Sequence, residues 1–107
     1  MNIINWIQNW YSKQCDFDEW SGWQDINGIS ITTLDNPGWY VKIDLDETDL
    51  ESKVFEEVNI ERTEHDWVQC KVIFEDENED ENRRFIGAGG PTNLEELLEI
   101  FKNWAER

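Results

Sequence analysis

The chain predicts an α+β domain: an antiparallel meander sheet of four to five strands with N- and C-terminal helices packed on one face. Three observations lead there. Residues 29–45, ISITTLDNPGWYVKIDL, alternate apolar and polar positions on both sides of a turn. Each end of the chain carries apolar residues at helical spacing. The connections between the strand-like runs are short, which favours antiparallel neighbours.

At the N-terminus, residues 3–13 read as a helix. Ile3, Ile7 and Trp10 share one stripe, Ile4, Tyr11 and Trp6 flank it, and Asn2 suits the N-cap. Residues 16–27 are polar with Phe17, Trp20 and Trp23 scattered through them, the composition of an ordered loop pinned by aromatics. In the hairpin that follows, Ile29 and Ile31 alternate with Ser30 and Thr32. Asp35-Asn36-Pro37-Gly38 supplies turn chemistry, with glycine in the place where a type II turn needs positive φ. Trp39, Val41, Ile43 and Leu45 then alternate with Tyr40, Lys42 and Asp44.

Residues 46–52 read as a loop, 54–62 as a third strand and 67–75 as a fourth, in which Val68, Cys70, Val72 and Phe74 share a face. Residues 63–66 form the turn between them. Residues 75–82, EDENEDEN, hold six acids and no base, as a loop or a solvated hairpin tip does. Residues 83–86 suit a short edge strand, and the glycines of 87–91 read as a break. A last helix starts at Thr92 or Asn93, each with a glutamate three residues on, and buries Leu94, Leu97, Leu98, Phe101 and Trp104. An amphipathic helix needs a surface to cover, and one sheet face provides it for both. The opposite face is then left with Tyr40, Lys42, Asp44, Trp67, Gln69, Lys71 and Ile73.

All 107 residues fit one domain, and with 38% apolar and 13% aromatic residues, seven of them tryptophan, the chain can build a core. Its net charge of −16 weighs against nucleic acid and anionic membranes as partners, because phosphate binding needs Lys and Arg. The same charge would attract a basic partner. Residues 44–82 hold sixteen acids against three bases, −13 of the total, so the charge is concentrated. The N-terminal residues have neither the basic start nor the apolar run of a signal peptide, so a cytoplasmic location is expected. Cys15 and Cys70 have no framework spacing and read as thiols; whether they ever pair is open.

No motif points to catalysis or to a cofactor. Asp76, Asn78 and Asp80 have the spacing of a calcium loop, but Glu81 and Gly87 stand where its glycine and bidentate glutamate belong. His65 is the single histidine and Cys70 reads as a core residue, so neither metal nor nucleophile chemistry has a basis. GAGGPT at 87–92 lacks the lysine of a phosphate loop. A protein-binding surface remains. The acids Asp44, Asp46, Glu47, Asp49 and Glu51 of one loop, and Glu75, Asp76, Glu77, Glu79, Asp80 and Glu81 of the other, would attract the partner. Tyr40 and Trp67 would make the buried contact. A small acidic ligand- or calcium-binding module and a carboxylate-based enzyme are the alternatives.

The run WIQNWY at 6–11, Gln14-Cys15-Asp16, the stretch from Ile31 through LDNPGW to Leu45 and the closing L-x-x-L-L helix resemble the bacterial immunity protein 53 family. That resemblance implies a non-enzymatic antidote, encoded beside a polymorphic toxin, that binds and silences its cognate toxin. A basic, nuclease-like toxin domain suits the charge. Trp6, Trp10, Asp35, Asn36, Pro37, Gly38 and Trp39, which carry the resemblance, read as turn and core residues.

Overall fold

The computed structural model describes residues 2–15, 28–77 and 80–107, and of residues 75–77 and 80–82 the backbone alone. The loop expected at 16–27 lies outside the described residues. In chain order the elements are α1 (Ile3–Gln14), β1 (Ile29–Leu34), β2 (Gly38–Asp44), β3 (Val58–Thr63), β4 (Asp66–Glu77), β5 (Asp80–Gly89) and α2 (Leu94–Ala105). The α+β class is as expected. Asn2 caps α1 by accepting the Ile4 N–H at 2.8 Å.

The strand order is β1-β2-β5-β4-β3, with every neighbouring pair antiparallel. A pure meander would set β3 beside β2; here β5 takes that place. β4 and β5 form one long hairpin, paired from Val68↔Gly89 to Glu77↔Asp80. The free edge of β5 then joins β2, from Trp39↔Gly89 to Asp44↔Arg84. Residues 83–86 therefore lie in the central strand, not at an edge, and of the two expectations for the acidic run, loop or hairpin tip, the end of the β4–β5 hairpin is the one found. The third strand is also shorter than expected and begins only at Val58.

Glycine explains the centre of the sheet. The expected break at 87–91 is largely strand, because the missing side chains let α2 and β4 close in. A Cβ on Gly87 would meet Leu97 at 3.3 Å, and one on Gly89 would meet the Trp67 carbonyl oxygen at 3.0 Å. Gly38 is present for the same reason: it has no positive φ, and a Cβ there would stand 2.2 Å from the Gly89 carbonyl oxygen. The turn before it holds a cis Asn36–Pro37 peptide in place of the expected type II geometry.

One face of the sheet carries both helices. Val41, Ile43, Val68, Cys70 and Phe85 meet Ile3, Ile7 and Trp10 of α1 and Leu97, Leu98, Phe101 and Trp104 of α2. The rings meet edge to face, Trp10 on Phe101 at 5.0 Å and Phe85 on Phe101 at 5.1 Å between centroids. The link 45–57 closes one end of this core with Leu45, Leu50 and Phe55. It is pinned by the Trp104 indole, which donates to the Val54 carbonyl at 2.8 Å, and by Lys53, whose Nζ donates to the carbonyls of Trp104 and Arg107 at 2.7 Å. A cation at the carbonyl end of α2 also complements its dipole.

Candidate interaction surface

The first acidic segment is built into the fold before it can serve a partner. Asp44 ends β2 opposite Arg84 and is only 9% exposed. Its Oδ1 accepts from Arg84 Nε at 2.8 Å and its Oδ2 from the Gly28 N–H at 2.9 Å. Asp46 accepts the Arg83 N–H at 3.1 Å. Thr48 is buried, donates to the Leu45 carbonyl at 2.7 Å and accepts the Leu50 N–H, so residues 45–50 fold into a tight turn. The side chains left facing solvent are those of Glu47, Asp49 and Glu51.

Arg83 holds this loop against the sheet. Its guanidinium donates to the Glu51 carbonyl and, at 3.0 Å, to the Lys53 carbonyl, while its Cζ lies 5.5 Å from the centre of the Phe74 ring. One residue on β5 thus ties the 46–53 loop to the sheet. The sequence offers no signal for this clamp, because nothing local marks which arginine reaches a carbonyl some thirty residues away.

In the second acidic segment, β4 and β5 pair Glu75↔Asn82, Asp76↔Glu81 and Glu77↔Asp80. Glu79, at the tip, lies outside the described residues. The loop 46–52 and the far end of this hairpin thus occupy the same end of the sheet.

Tyr40 and Trp67 lie elsewhere. Register puts Tyr40 beside Ala88, Ala88 beside Gln69, and Trp67 two residues further along β4 on the uncovered face. The interval from Trp67 to Glu77 along β4 spans roughly 34 Å at strand rise. The structure therefore separates the aromatic pair from the acidic end instead of gathering all of the expected contact residues into one patch. Beside Trp67 lies a groove of about 280 Å³ lined by Asn36, Asn59, Ile60, Glu61, Glu64 and Gln69. Glu61 and Glu64 were not singled out from the sequence; Glu61 faces Trp67 across β3 and β4.

A second charged cluster sits at the start of α2, on the helix-covered side. Arg62 contacts Asp66 at 2.7 Å and Glu96 at 2.5 Å. Asn93 stands in the N-cap position yet its side chain makes no cap hydrogen bond: it donates to Asp66 at 2.9 Å and to Glu96 at 3.1 Å. The Asn93 hydrogen bond and the Arg62 guanidinium hold the Asp66 carboxyl below its usual range; Arg62, then Asn93, do the same for Glu96.

Cys70 is 2% exposed and burial pushes its thiol up to about 12, the opposite of an activated nucleophile. Cys15 and Cys70 are both free thiols. Among the described residues no group of three or more His, Cys, Asp or Glu side chains is placed to hold a metal ion, and no helix is long and apolar enough to cross a membrane.

The described residues thus form an α+β domain in which one face of a five-stranded sheet carries both helices. A model of the family described as immunity protein 53 matches residues 4–106, nearly the whole chain, and the chain belongs to that family. Membership supports an immunity role and implies a toxin partner. Neither the curated proteins nor the solved structures yielded a match.

Proposed function

We propose that this protein binds and neutralises a cognate toxin, and that its acidic end engages a basic toxin domain of the nuclease kind. A nuclease must concentrate positive charge where it holds phosphates. Carboxylates fixed at similar spacing compete for the same surface. The single observation that supports this reading is the Arg83 clamp, which holds the 46–53 loop against β5 so that its acids share one end with the β4–β5 hairpin. Glu47, Asp49 and Glu51 are the members whose side chains are exposed. Asp44 and Asp46 serve the fold and act on the partner only through their charge.

Exposed charges act mainly on the rate of encounter, because water and salt screen each contact to well under about 1 kcal/mol. The triple reversal Glu47→Lys, Asp49→Lys and Glu51→Lys is expected to slow association with the toxin about ten-fold or more at low salt and to flatten its salt dependence. Stopped-flow or surface-binding kinetics across a salt series measures both. An unchanged association rate at low salt would refute the acidic end as the docking surface.

A further inference from the structure

We propose that the groove beside Trp67 seats one arginine side chain of the toxin. This rests on the reading that the partner is a basic toxin, and it assigns a contact at the opposite end of the sheet from the acidic loop.

The groove opens where β3, β4 and the β1–β2 turn meet; Ile60 lines it together with Asn36, Asn59, Glu61, Glu64, Trp67 and Gln69. Its chemistry is that of a guanidinium site. An aromatic ring offers a π face, two carboxylates offer charge, and three amide side chains offer carbonyl oxygens. Arginine is a flat cation with five donors that stacks on tryptophan and pairs with carboxylates, and its methylene stem suits the apolar Ile60. At about 280 Å³ the groove has room for a single arginine side chain.

The two carboxylates are available. Arg62, the nearest base in sequence, is taken by Asp66 and Glu96, with which it makes both of its ion pairs. Among the described residues no ion pair engages Glu61 or Glu64. Trp67 is half-buried and Glu61 stands directly across from it in the ladder, so the sheet fixes the backbone positions from which the ring and one carboxylate project.

The toxin-free test uses the whole chain labelled with nitrogen-15 and titrated with N-acetyl-arginine methylamide, its lysine counterpart or its glutamine counterpart. Arginine is expected to shift the Trp67 indole resonance and the 61–69 amides saturably, and lysine to bind more weakly. Glutamine is expected to leave them unmoved. Glu61→Gln with Glu64→Gln, both at exposed positions, should weaken arginine binding about ten-fold while the melting temperature stays within a few degrees. No saturable shift, or equal shifts with the glutamine probe, overturns the assignment. In the toxin complex the same double variant should raise the dissociation rate and leave the association rate near wild type, the reverse of the acidic-loop reversal. Probe binding without toxin binding would sink the proposed function and spare the groove. Toxin binding that is indifferent to the double variant would sink the groove and spare the function.

Discussion

Replacing Asp44 with alanine separates a structural acid from a docking acid. The side chain is 12% exposed and that of its partner Arg84 18%, so the pair is mostly out of water. Removing one member of a buried pair costs up to about 3–5 kcal/mol, and Arg84 has an interaction besides Asp44 that reduces the cost. Residual solvent contact on both sides lowers that figure. The lost bond to the Gly28 N–H adds roughly 1 kcal/mol, since that donor anchors the chain as it enters β1. The net expectation is about 3 kcal/mol, or a fall in melting temperature of roughly 10–20 °C for a domain of this size. Urea unfolding followed by tryptophan fluorescence and by circular dichroism measures it. Asp44→Asn, which keeps an acceptor, should lose less, and Asp44→Ala with Arg84→Ala should lose less than the separate effects combined. A loss below about 1 kcal/mol for Asp44→Ala would refute the structural role. So would an association rate with toxin reduced as far as by the reversal of Glu47, Asp49 and Glu51.

Two further outcomes follow from the packing and the charge network. Gly38→Ala puts a Cβ 2.2 Å from the backbone oxygen of Gly89 and should cost roughly 1–3 kcal/mol, whereas Gly28→Ala meets open space and should stay within about 0.5 kcal/mol of wild type. Equal urea midpoints for the two would contradict the close contact of β2 with β5. For Arg62→Gln, the folded-state pKa values of Asp66 and Glu96 lie below their unfolded ones, with Arg62 a cause of both shifts. Their stabilisation is therefore present above the ordinary carboxylate range near pH 4 and is lost as pH falls through the lower, folded values. The gap in urea midpoint between wild type and Arg62→Gln should be full at pH 7 and close below about pH 4. A gap that does not change with pH would show that Arg62 acts through packing instead.

Local pattern was enough wherever a residue's neighbours in sequence are also its neighbours in space. Asn2 and the Ile3–Ile7–Trp10 stripe wrote α1, the Leu97–Leu98–Phe101–Trp104 stripe wrote α2, and the alternation around Trp39 to Ile43 wrote β2. The N-cap at Asn93 shows the limit of that reasoning. Its amide turns to Asp66, on a strand distant in sequence, and leaves the helix donors alone. The candidate site was harder still. Alternation puts Tyr40 and Trp67 on the face away from the helices, yet their distance from the acidic end depends on how far β4 runs. The groove needs Glu61 and Trp67 opposite each other across two strands.

By itself the amino-acid order settled the class of fold, the two helices, the hairpin at 29–45, the crowding of negative charge between 44 and 82, and the motifs that resemble the immunity protein 53 family. Those properties come from short-range periodicity and composition, which no distant contact can alter. Tertiary structure alone decided that β5 lies between β2 and β4, that glycines at 38, 87 and 89 pack instead of bend, and that Asp44 and Asp46 belong to the fold while Glu47, Asp49 and Glu51 meet the solvent. The reason is physical. A strand presents the same hydrogen-bonding groups on both edges, so its neighbours are chosen by how the whole core packs, and a carboxylate becomes structural or free according to whether a distant donor reaches it.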